Sequence, residues 1–197
     1  MHRKTAPRVR DGRVQRKNNW KLARDDYTRR VQPYPIIDRK RPGRGYAHVL
    51  TRADVERFID LLPDWDELAR GLDAIVLAPG DWDAEGWYLP GVVAVCAWER
   101  GLWTTATKEY CAHNRAVLDR LDVTREDRGS RVLCKWTQAT VRAYQLLDVL
   151  LHELGHHHDL MTTRSRRDAA RGEPFAEAYA RRNADAIWES YLAAFEL

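Results

Sequence analysis

TQATVRAYQLLDVLLHELGHHHD, residues 137–159, decides the reading of this chain. Val141, Tyr144, Leu147, Leu150, Leu151 and Leu154 recur at spacings of three and four, the signature of one apolar face on an α-helix. This is the longest helical pattern in the sequence, and it ends in His152-Glu153-Leu154-Gly155-His156. Residues four apart share a helical face. His152 and His156 can therefore present ring nitrogens to one cation, with Asp148 one turn upstream on the same side. Glu153 can reach a water on that cation. Two histidine ligands and one glutamate general base are the physical content of this spacing. Zinc brings the pKa of its water toward neutrality, and the glutamate accepts the proton.

Catalytic zinc keeps three protein ligands and one open position. A metzincin arrangement would need Gly at position 159 and His at 162, but these are Asp159 and Thr162. The other common arrangement takes a glutamate from a following helix. EPFAEAYA, residues 173–180, supplies Glu173 and Glu177 four apart, with Pro174 suited to a first helical turn. One of the pair can bind the metal while the other hydrogen-bonds a ligand histidine. His157, His158 and Asp159 extend the cluster. The histidines read as solvent-facing or helix C-terminal, where a cation is favoured. Asp159 reads as a supporting acceptor or a competing oxygen ligand.

The pattern from His152 to His156, followed by Glu173 and Glu177, resembles the gluzincin metallopeptidases. The segment around Glu173 is similar to the catalytic domain of anthrax lethal factor and its relatives. The resemblance spans about residues 137–191. It implies Zn2+ held by His152, His156 and Glu173, with Glu177 supporting His152 and Glu153 as the catalytic base. It further implies a peptidase acting on a peptide or protein substrate. The fold it implies is α+β and zincin-like: a small, mostly antiparallel sheet packed on the active-site helix, then a C-terminal ligand helix. An edge strand would bind the substrate, with residues 92–98 or 102–107 as candidates. Tyr179, Tyr110 and His113 are the candidate transition-state donors.

Outward from the motif, β-rich runs at 73–78, 87–89, 92–98 and 102–107 are separated by Pro79-Gly80, Pro90-Gly91 and Gly101. Residues 112–121 look helical. Thr51 caps an earlier helix that carries Val55, Phe58, Ile59 and Leu62 and stops at Pro63. A short helical stretch follows at 64–70.

Residues 1–45 differ from the rest. They hold fifteen Lys/Arg against four Asp, a net of +11, whereas the remainder holds eighteen against twenty-five acids, a net of −7. The expected division is a basic, partly disordered arm over 1–45 and a metallopeptidase domain over 46–197. Arginines interspersed with Trp20, Tyr27, Tyr34 and Tyr46 suit phosphate contacts and base stacking. The second functional reading is therefore a nucleic-acid-binding protein using this arm, with the zincin domain regulatory or latent. Apolar residues make up 44% of 197, enough for a sizeable core. No run approaches the roughly eighteen apolar residues of a membrane span, and no apolar stretch follows the basic start, so a cytoplasmic protein is expected. Cys96, Cys111 and Cys134 have neither metal-knuckle nor disulfide-framework spacing.

Overall fold

The computed structural model describes residues 9–10, 13–14, 27, 34–80, 84–163 and 171–196. The main sheet begins at β1 (Ile36–Arg39). After β2 (Tyr46–Ala47), the chain crosses over through α1 (Arg52–Ile59) and α2 (Trp65–Leu68). It returns as β3 (Ala74–Ala78), parallel to β1. A crossover of this length is what a parallel pair requires. Thr51 caps α1, as the sequence predicts, and with Asp54 it closes a capping box; Val55 and Phe58 face the core.

β4 (Gly86–Leu89) then turns through Pro90-Gly91 into β5 (Val92–Cys96). Gly91 adopts φ +81°, which other residues rarely take, and this tight turn sets β4 antiparallel to β5. β5 also lies parallel to β3, so the sheet order is β1-β3-β5-β4. β6 (Trp98–Glu99) pairs with β2. Beyond it come β7 (Trp103–Thr107), α3 (Lys108–His113), α4 (Arg115–Arg120), β8 (Thr124–Arg128) and β9 (Arg131–Lys135). β8, β9 and β7 form a second, wholly antiparallel sheet in that order.

The long helical pattern is divided. α5 (Gln138–Tyr144) passes into a π-helical turn (Gln145–Leu150) and then α6 (Leu151–Thr162). Gln145 at the start of the π turn donates its amide to the carbonyl of Cys96 at 2.8 Å, tying this turn to the end of β5. The last helix, α7 (Gly172–Phe195), packs along α6.

Every residue of β3 and β5 is buried, and alternation divides them between two cores. Ile75, Leu77, Val93 and Val95 join the large core with Leu147, Leu150 and Leu154. Ala74, Val76, Ala94 and Cys96 face the other side, with Trp87 and Tyr27.

The expected α+β class with small sheets holds, and five of the seven strand pairs among the described residues are antiparallel. The sheet against α6 departs from the expectation, because β1-β3 and β3-β5 are parallel. The helices at 52–59 and 65–68 act as a crossover, and that converts neighbouring strands from hairpins to parallel partners. β5 is consequently central, so residues 92–98 cannot supply the free edge. Among the described residues β4 is the edge strand beside α6, and β7 is an edge of the second sheet.

The charge boundary at residue 45 also cuts through the body. β1 is hydrogen-bonded into the main sheet. Tyr27 is buried at 5% exposure and donates its hydroxyl to Asp38, which also pairs with Lys40 at 2.7 Å. Most of the expected mobile arm, and the nucleic-acid contacts read from it, lie outside the described residues. Among the described residues no helix is long and apolar enough to cross a membrane.

Candidate metal centre

α6 presents His152 and His156 on one face, both about 5% exposed. Their Nε2 atoms are 3.0 Å apart. The third donor arrives from α7 because the two helices cross on a glycine. A Cβ on Gly155 would lie 2.9 Å from Ala176 Cα and 3.1 Å from Tyr179 Cβ. Only a residue without a side chain lets α7 come this close. Glu173, in the first turn of α7, consequently places Oε2 3.2 Å from His152 Nε2 and 3.6 Å from His156 Nε2.

These three atoms form a triangle with edges of 3.0, 3.2 and 3.6 Å. Donors on a tetrahedral ion with bonds of about 2.0–2.1 Å sit about 3.3 Å apart, so the triangle has the size of one face of such a site. His152, His156 and Glu173 can hold a metal ion. The chemistry of the site fits this. Glu173 Oε2 is buried and meets only the two histidines among the described residues, and Glu153 Oε2 is buried with no hydrogen-bond partner among them. Buried carboxylate oxygens left without partners are costly, and a cation answers that cost.

The electrostatics agree. Burial works against the charged form of Glu173, but its contacts with both histidines prevail and hold its pKa at about 2. Burial alone would lower the His152 pKa. The Glu173 hydrogen bond and the negative charges of Glu153, Glu173 and Asp148 outweigh burial and raise it. The pocket thus stabilises positive charge at His152.

Glu153 is 2% exposed and points to the sheet. Gly86 lets it do so: a Cβ there would lie 2.6 Å from Val149 Cγ1, 2.8 Å from the Ala94 carbonyl and 3.0 Å from Glu153 Oε1. The edge strand therefore rests directly against the turn carrying the predicted base. Tyr88, two residues on, stacks with His156 at a ring separation of 6.0 Å.

Asp159 is neither a free supporting acceptor nor a competing ligand. It is fully buried and accepts from the main-chain N–H groups of Arg171 at 2.9 Å and Gly172 at 3.0 Å, and from the Arg171 side chain. It therefore caps α7 from outside, immediately before Glu173. Arg171 in turn lies over the Phe175 ring at 3.7 Å. His157 is not solvent-facing: it is 1% exposed, with Nε2 3.0 Å from the Arg70 carbonyl. His158 stacks on Phe175 and tilts against Tyr179.

Glu177 departs from its expected role at His152. Its Oε1 lies 3.5 Å from His113 Nε2, on the wall of a cleft of about 670 Å³ that His152 also lines. In that cleft Glu85 accepts hydrogen bonds from the hydroxyls of Tyr110 and Tyr144, each at 2.8 Å, and the two hydroxyls are 2.8 Å apart. Burial, and next the Glu85 charge, push both phenols well above their ordinary pKa. Of the candidate transition-state donors, Tyr110 and His113 line this cleft, while Tyr179 packs against His158 and Phe175. Glu85 and Tyr144 were not singled out as site residues from sequence. Tyr144 was legible only as an apolar-stripe position, and no motif surrounds Glu85. The thiols of Cys111 and Cys134, distant in sequence, lie 3.9 Å apart.

Compared with known proteins, the chain matches no family model, no curated protein and no solved structure.

Proposed function

We propose that this chain is a zinc-dependent metallopeptidase of gluzincin type, with a zincin-like arrangement of edge strand, metal helix and ligand helix. The observation that carries this reading is the triangle of His152, His156 and Glu173 beside the unpartnered carboxylate of Glu153. Two imidazoles and one carboxylate suit zinc, and three protein ligands leave a coordination position open. When bound there, zinc supplies Lewis acidity that acidifies water and polarises a carbonyl.

The residues of the chain would divide the remaining work. Glu153 Oε2 takes a proton from the attacking water and gives it to the departing amine nitrogen. Glu173, ionised well below neutral pH, balances the charge at the histidines. The edge strand β4 offers main-chain groups to an extended peptide. Cys96 N–H donates to the Glu85 carbonyl at 2.8 Å. Hydrogen-bonded pairs alternate along an antiparallel ladder, so Gly86 directs its N–H and C=O away from β5. A substrate strand can add there, next to Glu153.

Metal content is the first test. Elemental mass spectrometry of the purified chain is expected to find one zinc per chain, lost in His156→Ala. Glu153→Gln should retain the zinc and lower peptide hydrolysis by about 10²–10⁴-fold, the usual worth of a general base. A fully active Glu153→Gln enzyme would refute the assigned role.

A further inference from the structure

We propose that the cleft beside His152 receives the lysine or arginine side chain of a peptide substrate, with Asp148 as its counter-charge. This rests on the peptidase reading and adds a substrate class to it.

The cleft has about 670 Å³ of space, and its chemistry is divided. Val117, Leu147, Ala180 and Ala184 form apolar walls, which suit the methylene stem of a long basic side chain. Of the cleft's other acids, Glu85 holds both tyrosine hydroxyls, Glu177 faces His113, Asp185 pairs with Arg120, and Glu109 is exposed. Asp148 differs. It lines the same cleft one turn before His152, and it accepts no hydrogen bond from any described residue. Glu85 and Glu177 share the cleft with it, so this part of the lining is anionic. A cationic group entering the cleft is favoured there, because an opposite charge within a few ångströms stabilises the ionised carboxyl. The arginines of the cleft do not fill the role. Arg120 pairs with Asp185 at 2.7 Å and lies over Trp188, and Arg181 is exposed at the rim. An apolar side chain would leave Asp148 without a counter-charge and an acidic one would be repelled, and that asymmetry is the source of selectivity.

The test compares lysine hydroxamate with norleucine hydroxamate. The two share a metal-chelating head and a four-carbon stem and differ in the terminal ammonium. Both are titrated by calorimetry onto the zinc-loaded chain and onto its Asp148→Asn variant, with zinc content measured for each. Wild type is expected to bind the lysine compound at least about tenfold more tightly, the worth of one charge-assisted hydrogen bond. In Asp148→Asn the ratio should fall to about one. Equal binding of the two compounds by wild type overturns the proposal while leaving the metal site intact, and so does a lysine preference that survives in Asp148→Asn. Binding of neither compound to zinc-loaded protein overturns the proposal and the peptidase reading together. The wild-type ratio decides the matter even if the variant does not fold.

Discussion

Replacing Asp159 with alanine removes a buried carboxylate that holds three donors at the start of the ligand helix. Two of these are main-chain N–H groups that have no acceptor within α7, as the first turn of any helix dictates. In the variant they face an apolar gap. Loss of a cap costs about 0.5–2 kcal/mol, and hydrogen bonds to a charged group are worth about 1.5–3 kcal/mol. The two figures count overlapping bonds, so they do not add. Arg171 is 44% exposed and can return its guanidinium to water, which limits the loss further. About 3 kcal/mol is expected, or about 6–12 °C in Tm for a domain of this size. Asp159→Asn keeps one acceptor oxygen and should lose about half as much. The effect should reach the metal, because Glu173 follows the capped N–H groups directly. Loosened support for a ligand typically costs about 10–100-fold in metal affinity. Urea unfolding of the metal-free variants gives the first quantity, and zinc competition against a chromophoric chelator gives the second. Burial favours the neutral Asp159 carboxyl, but Arg171 and the capped N–H groups outweigh it and depress the pKa below 3.8. A depressed folded pKa contributes stability above the unfolded value that disappears as pH falls through the folded one. The difference between wild type and Asp159→Asn should therefore be full near neutral pH and shrink below about pH 4. A loss under about 1 kcal/mol with unchanged zinc affinity would refute the capping argument.

Glu173→Ala should lower zinc affinity far more than Glu177→Ala, because only Glu173 meets both histidines. The reverse order in a metal titration would displace Glu173 as the ligand. Zinc affinity should decline as pH falls, since the raised pKa of His152 means that acid keeps a proton where the metal must bind. In the metal-free chain the same shift has the opposite outcome: its stabilising contribution is complete below the ordinary histidine value of 6.5 and is lost as pH rises through the raised one. Calorimetry in buffers of different ionisation enthalpy counts the proton released. In Gly155→Ala, better helix propensity returns about 1 kcal/mol while over-packing against Ala176 and Tyr179 costs about 1–3 kcal/mol. The net stability change should be small, but zinc affinity should fall by about tenfold or more as α7 is pushed away. Unchanged affinity would show that the close crossing is not what delivers Glu173.

The helices around the candidate metal site were legible because each carries its own signal. The N-cap at Thr51 and the apolar stripe at 141–154 are local, and so are the paired glutamates at 173 and 177. The sheet was less legible. β3, β4 and β5 announce themselves by apolar runs between Pro-Gly turns, but strand order depends on what the intervening segments do, and that is not a local property. β8 escaped notice because Thr124-Arg-Glu-Asp-Arg contains no apolar residue: its pairing with β9 serves an exposed surface, where periodicity has nothing to report. β1 was hidden by the opposite effect. Its surroundings are so basic that charge marked it as arm, although Ile36 and Ile37 sit in register with Ala74 and Ile75.

The π turn is a deeper case, because the sequence around it looks like uninterrupted α-helix. A π turn closes its hydrogen bonds over five residues instead of four, and such turns are frequent at functional sites. Here it sits immediately before the metal helix, and Tyr144, Asp148 and His152 all line the same cleft across it. No hydrophobic period would reveal this, since the buried stripe on either side is preserved. What holds the turn open is tertiary: Gln145 reaches the Cys96 carbonyl, and Val149 abuts the missing Cβ of Gly86. The same reasoning separates the two glycines at the site. Gly155 lies within the five-residue motif, so its presence is noticed, yet its purpose depends on α7. Gly86 lies in a strand with no motif at all, and its purpose depends on Val149 and Glu153. The motif names the ligands; the approach of β4 and α7 to α6 makes them converge, and that approach is written in residues whose defining property is having no side chain.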